Sequence, residues 1–380
     1  MNLNTLYDLL HSSVEKYSDK VAFSMLGSED VSYKEVGRRV KEVQDMLLSA
    51  GLSAGDKVAL LSSSMPNWGI CYFAIVTSGM VAVPILPDFT GAELDLLIEH
   101  SESKALLVSD RLFTKLSKDT ISKLNIVIRT KNLSVISQTV QEQGTAATPK
   151  PEDLAVIIYT SGTTSQPKGV MLTHGGIVNY VVDDPKNRHV HALVENDCIM
   201  ASVTTVSFDM FLKEAFTTLM NGLTLVLADD EQAKNPDQLA KLFRKTGATA
   251  FNATPSRMLQ YMELPEMKQA LAQCKVIMAG GEGYPPALYP KLREITDAVL
   301  INTYGPTEIT VSSNGKLLDS ELITIGAPLK GVVEEVMDIE GNPLPVGFTG
   351  ELWIGGNGVA RGYFGNPEMT AERFVSWNGI

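Results

Sequence analysis

Cysteine is scarce in this sequence. The three present, Cys71, Cys198 and Cys274, stand far apart and lack metal-ligand spacing. That excludes a disulfide framework and a zinc site, and makes reduced thiols in a cytoplasmic protein the plain expectation. Long apolar runs are missing as well: no stretch offers the roughly eighteen uncharged residues of a membrane-spanning helix. The N-terminus, MNLNTLYDLLHSSVEKYSDK, has no basic region followed by an apolar core, so no secretory leader is read there. Positive charge is in deficit, with 32 Lys and Arg against 44 Asp and Glu, a formal net charge of −12. Such a body repels phosphodiester chains and anionic lipid, which excludes nucleic acid as a partner and leaves any polyanionic small ligand to a local site. No low-complexity tract or fixed-period repeat occurs. The five histidines show no triad or metal spacing. His174, in the stretch MLTH, reads as a helix-start residue.

What is present is an ordinary globular composition, 44% hydrophobic and 20% charged over 380 residues, long enough for two or three packed units. The spacing Leu6, Leu9, Leu10, Val14, Tyr17 predicts a helix, and Val21 to Met25 a strand. Helix and strand signals then alternate along the chain with apolar strand runs, which implies an α/β fold whose mostly parallel sheets are covered by helices. The polar stretch SQTVQEQGTAATPKPED reads as a connection. We therefore expect a first α/β subdomain over 1–150 and a second over 151–325 holding the candidate site. After Ile325, GVVEEVMD, GNPLPVG and GELWIGG predict a smaller β-rich subdomain over 326–380.

The strongest chemical signal is Tyr159-Thr160-Ser161-Gly162-Thr163-Thr164-Ser165-Gln166-Pro167-Lys168-Gly169, directly after the apolar strand LAVIIY and, by expectation, before a helix. A run of hydroxyls and glycine ending in lysine offers many N–H and O–H donors to phosphate oxygens. It is neither a Walker loop nor a dinucleotide fingerprint. The bland alternative is a solvated Ser/Thr/Gly turn.

With this loop the chain resembles the adenylate-forming enzymes, the superfamily of acyl-CoA ligases, luciferases and the adenylation domains of nonribosomal peptide synthetases. Asn302-Thr303-Tyr304-Gly305-Pro306-Thr307-Glu308 is similar to a second motif of that family, and Gly350-Glu351 through Arg361-Gly362-Tyr363 to a third, in the same order. The resemblance spans essentially the whole chain. It implies ATP and Mg²⁺ as cofactors and an acyl-adenylate as product. Thr160, Lys168, Thr307 and Glu308 would then be catalytic, with Glu308 the metal ligand. Thr160 to Thr164 and Lys168 would hold phosphates. Tyr304 would stack on adenine, Asn302 would bond its amino edge, Gly305 would lie beside them, and Gly280, Gly281 and Glu282 would line the other side. The competing readings are a surface ion pair for Glu308 and a core aromatic for Tyr304.

Ser207-Phe208-Asp209-Met210-Phe211 resembles the motif of amino-acid-activating members, in which the aspartate faces the substrate ammonium. Asp209 could instead cap a helix. The resemblance completes the acyl pocket with Met210, Lys213, Asn252, Ile277, Ala279, Thr303, Val311 and Ser312, and a small polar or acidic amino acid is the expected substrate. The first third of the chain looks closer to the acyl-CoA ligase branch. A fatty or aryl acid with coenzyme A therefore remains the alternative to an amino acid with a carrier-protein phosphopantetheine, and a non-catalytic nucleotide-binding scaffold is a third reading. Beyond Ile380 the family would continue into a small mobile C-terminal domain. A chain truncated before it is expected to be of low activity.

Overall fold

The computed structural model describes residues 3–160, 167–205 and 207–377. Its strands, in chain order, are β1 (Val21–Ser24), β2 (Val31–Ser32), β3 (Lys57–Leu61), β4 (Val81–Pro84), β5 (Ser103–Val108), β6 (Ile126–Arg129), β7 (Ser134–Gln138), β8 (Leu154–Thr160), β9 (Lys168–Thr173), β10 (Ile199–Ser202), β11 (Thr224–Leu227), β12 (Ala250–Ala253), β13 (Val276–Gly280), β14 (Val299–Tyr304), β15 (Asn314–Leu317), β16 (Ala327–Pro328), β17 (Val332–Met337) and β18 (Glu351–Gly356). They form a seven-stranded sheet in the order β7-β6-β5-β3-β4-β8-β9, a nine-stranded sheet in the order β16-β15-β14-β13-β12-β10-β11-β1-β2, and the two-stranded sheet β17-β18. The central pairings are parallel and the edges antiparallel. This is the α/β fold with a small β-rich unit expected from the alternation.

Helices form where apolar spacing and caps coincide. The helix Leu6–Lys16 starts with a capping box, Thr5 accepting from the Asp8 amide, and buries Leu6, Leu9 and Leu10. The helix Pro66–Thr77 is apolar on every side and buried from Trp68 to Thr77. Trp68 meets the Phe211 ring edge-on at 4.6 Å, and Tyr72 meets Phe216 at 5.0 Å. That helix, which follows β3 of the seven-stranded sheet, thus packs on the segment after β10 of the nine-stranded sheet, in the largest core cluster.

Two findings differ from expectation. The sheets do not divide at residue 150: β1 and β2 cross into the nine-stranded sheet, β1 pairing in parallel with β11, while β8 and β9 close the seven-stranded sheet beside β4. Strand partners far apart in sequence leave no local signal. The Ser/Thr/Gly loop also joins two strands rather than a strand and a helix. Gly169, Val170 and Leu172 are buried, Lys168–Thr173 runs back antiparallel along β8, and the helix starts only at His174.

Candidate active site

Thr160 and Lys168 face each other as the last β8 and first β9 partners of the antiparallel hairpin. Ser161, Gly162, Thr163 and Thr164, expected to cradle phosphate, lie outside the described residues. The outer edge of β9 is occupied by the third sequence motif. The Arg361 amide donates to the Met171 carbonyl at 2.9 Å, Met171 to Gly362 at 3.0 Å and Phe364 to Gly169 at 2.8 Å. The first and third motifs therefore share one sheet edge, although almost two hundred residues separate them.

The second motif begins on β14. Strand alternation sends Asn302 and Tyr304 to one face and Thr303 to the other. Tyr304 is 41% exposed, which excludes a core aromatic. Asn302 is buried, and its Nδ2 donates to the Thr324 carbonyl at 2.9 Å, leaving Oδ1 as an acceptor. Gly280 packs against β14 so closely that a Cβ there would lie 2.3 Å from Thr303 Oγ1, and Gly281 has φ +85°. Glycine is thus required here by the neighbouring strand and by the turn. Glu282 turns elsewhere: its Oε2 accepts from the Ser256 amide at 3.2 Å, at the start of the helix Pro255–Tyr261, and the Ser256 hydroxyl first, with that amide, holds its carboxyl below the usual range.

Beyond Tyr304 the chain makes one 3₁₀ turn, Thr307–Ile309, and then places two β-branched residues in the left-handed region, Thr310 at φ 61° and Val311 at φ 72°. The Ser312 amide donates to the Thr310 carbonyl at 2.9 Å, closing a three-residue turn about Val311. Non-glycine residues adopt this conformation only where surroundings enforce it. The enforcement comes from the third motif. Thr310 Oγ1 donates to the Gly358 carbonyl at 2.7 Å, the Ala360 amide to the Glu308 carbonyl at 2.7 Å, and the Tyr363 hydroxyl to Glu308 Oε1 at 2.6 Å. Glu308 makes no ion pair among the described residues, which removes the surface-salt-bridge reading.

A cavity of about 200 Å³ opens beside this segment. Asp209, Met210, Thr303, Val311 and Ser312 of the expected acyl set line it, together with Gly281, Gly305 and Thr307. Asp209 does not cap a helix: the cap position is Phe208, without a side-chain bond, and Asp209 is the first helical residue. Its Oδ2 accepts from Thr307 Oγ1 at 2.6 Å. Burial raises its carboxyl above the ordinary range, with the Thr307 bond opposing.

The remaining expected wall residues stand behind the cavity. Ile277 packs in the core cluster with Phe251 and Leu300, because odd positions of β13 face that core. Ala279 is buried, and its carbonyl accepts from Thr303 Oγ1 at 3.2 Å. Lys213 is fully buried on a π-helical turn, Leu212–Phe216, and its Nζ donates to Thr303 Oγ1 at 2.8 Å. Burial pushes its pKa down to about 7. Asn252 donates to Glu214 Oε1 at 3.1 Å. Glu214 itself is fully buried; it also accepts from Ser202 Oγ at 2.6 Å and from the Thr204 hydroxyl, and burial raises its carboxyl. Sequence reasoning missed Glu214, although a lone acid beside Lys213 in the apolar stretch FLKEAFTTLM is a visible signal. A single carboxylate at Glu308, with no cluster of three His, Cys, Asp or Glu among the described residues, suits a Mg²⁺ ion carried in by phosphates rather than a resident metal cage.

Comparison with known proteins bears on this geometry. A family model described as AMP-binding enzyme matches residues 10–364. Tyrocidine synthase 3 of Brevibacillus parabrevis is 31% identical over 375 residues, a match covering 98% of this chain and 6% of that protein. Tyrocidine synthase 2 of the same organism is 32% identical over 390 residues, covering 98% and 10%. The chain thus spans only a small part of these relatives. Among solved structures, the N-terminal subdomain of NpsA from Klebsiella oxytoca, in complex with 3-hydroxyanthranilyl-AMSN, superposes with TM-score 0.83 at 22% identity, covering 100% of this chain and 93% of that one. An artificially fused NpsA-ThdA Adenylation-PCP di-domain reaches 0.85 at 23% identity, covering 100% and 74%.

Proposed function

The chain belongs to the family of AMP-binding enzymes, and from that premise we propose that it activates an α-amino acid as its aminoacyl-adenylate, with release of pyrophosphate. A substrate carboxylate oxygen attacks the α-phosphorus of ATP, the α–β anhydride bond breaks, and pyrophosphate leaves. No covalent nucleophile is needed, so catalysis is positioning and charge stabilisation. In this reading Lys168 and the hydroxyls from Thr160 to Thr164 bind phosphate oxygens, Thr307 exchanges its bond to Asp209 for one to the α-phosphate, and Tyr304 and Asn302 hold the adenine, with Gly281 and Gly305 beside it. Glu308 holds Mg²⁺, which when bound would neutralise charge on the phosphates.

The observation that carries the choice of an amino acid is Asp209. It is a carboxylate in the cavity wall, freed from capping duty, with no cationic partner within salt-bridge distance among the described residues. Lys213 and Glu214 are buried behind the cavity and end on other partners, Lys213 on Thr303 and Glu214 on Ser202, Thr204 and Asn252, so neither occupies the Asp209 carboxylate, which is open to a substrate ammonium. A cavity of about 200 Å³ lined by Thr303, Val311 and Ser312 suits a small side chain. The thiol acceptor is read as a carrier-protein phosphopantetheine, on the strength of the synthase relatives and the fused di-domain neighbour, with coenzyme A as the alternative. Three buried, unpaired cysteines support a cytoplasmic setting.

Calorimetric titration with acyl-sulfamoyl-adenosine analogues of several amino acids and of one fatty acid tests the proposal. Tight binding of a small aminoacyl analogue is expected. Preference for the fatty-acyl analogue would transfer the protein to the acyl-CoA ligase branch, and failure of all would overturn the reading.

A further inference from the structure

Tyr363 has no role in the reaction as set out above, yet its hydroxyl ends on Glu308, the residue proposed there to hold the metal. Resting on the ATP site proposed here, we infer that Tyr363 is a positioning residue that fixes the Glu308 carboxylate for a divalent cation without cancelling its charge. Three observations carry this. First, the hydroxyl donates to Oε1 at 2.6 Å, while Oε2 has no protein donor among the described residues. One oxygen is restrained and the other is left to bind. Second, the restraint is neutral. An arginine or lysine in the same place would neutralise the carboxylate and compete with the cation, whereas a phenol removes rotational freedom and leaves the full negative charge.

Third, the phenol is rigidly mounted. Its backbone bridges Val170 of β9, two residues from Lys168, and its amide donates to Thr370 Oγ1 at 2.9 Å. Its ring packs edge-on against Phe374 at 5.4 Å, and the Glu308 carbonyl is pinned by the Ala360 amide at 2.7 Å. The tyrosine end of the hydrogen bond is therefore fixed to β9, the strand that carries Lys168, and the glutamate end to Ala360 of the segment that lies along that strand. The lysine and the carboxylate are held in register on one frame, as joint binding of phosphates and their cation requires.

The test is ATP affinity by calorimetry, with Mg²⁺ and with a chelator, for the wild-type chain, Tyr363→Phe, Glu308→Gln and the double variant. Phenylalanine keeps the ring packing, and thermal melts check the fold. Tyr363→Phe should bind metal-free ATP within about twofold of wild type and lose about tenfold of the affinity gained from Mg²⁺, the size of one hydrogen bond to a charged group. In the Glu308→Gln background it should change nothing further. An unaltered Mg²⁺ gain in Tyr363→Phe overturns the inference alone. Equal losses with and without Mg²⁺ reduce Tyr363 to a structural part and overturn it as well. Absence of ATP binding by the wild-type chain overturns the adenylation reading and this inference together, so the two failures are distinguishable.

Discussion

Asp209 and Lys213 sit four positions apart at the start of one helical stretch and carry opposite predictions. Asp209→Asn keeps the shape and the Thr307 contact but removes the charge. Affinity for an aminoacyl-sulfamoyl-adenosine should fall about 100-fold, as when one partner of a buried charge pair is removed, while that for a fatty-acyl analogue should be unchanged. Equal losses for both would disprove the ammonium role. Lys213 is depressed in the fold from 10.5 to about 7. The folded state then binds fewer protons than the unfolded state between those values, so the stability present above pH 10.5 is lost as the pH falls towards 7. Lys213→Met removes that slope. Its melting temperature should exceed wild type by about 3 °C or more at pH 7, with the gain shrinking towards pH 10.5; a pH-independent difference would contradict the burial argument. The sequence could name both residues, but not that one lines the cavity and the other lies behind Thr303, because a π-helical turn sets the direction of Lys213.

At the scale of elements, the hairpin β8–β9, the strand β14 and the segment 358–364 meet because each presents a free edge or end to the next. The close approach of β13 and β14 gives the third prediction. Gly280→Ala would place a Cβ 2.3 Å from Thr303 Oγ1 and 2.6 Å from the Thr303 carbonyl oxygen. Since a backbone atom cannot step aside, denaturant titration should show a loss of about 1–3 kcal/mol. A neutral outcome would mean that β14 can shift, and with it the Thr303 contact to Lys213. The helices were legible here because caps and apolar spacing are local: Leu6, Leu9 and Leu10 fall on the buried face as their spacing requires. The edge strand Lys168–Thr173 was not, since its six residues read equally as the approach to a helix, and only pairing with Leu154–Thr160 decides.

For the whole molecule, β1 and β2 lie in the nine-stranded sheet and β8 and β9 in the seven-stranded one, so each sheet draws strands from both sides of residue 150. A fragment of residues 1–150 would hold β1 without β11 and β4 without β8, leaving unpaired edges and an apolar helix, Pro66–Thr77, stripped of Phe211 and Phe216. It should lack a cooperative urea transition, whereas a sharp one would restore the boundary at 150 as a folding boundary. The sequence by itself determined the α/β class, the covered parallel sheets and the segments proposed to serve phosphate, adenine and an ammonium. The fold class follows from periodicity and the phosphate reading from residue chemistry, which act over a few neighbours, while the adenine and ammonium readings are what the family resemblance implies. Only the tertiary structure decided that Asp209 faces a cavity instead of a helix end, that Ile277 belongs to the core, and that Tyr363 holds Glu308. Each of these depends on which distant strand or turn lies alongside, and that contact is fixed by packing between segments far apart in the chain.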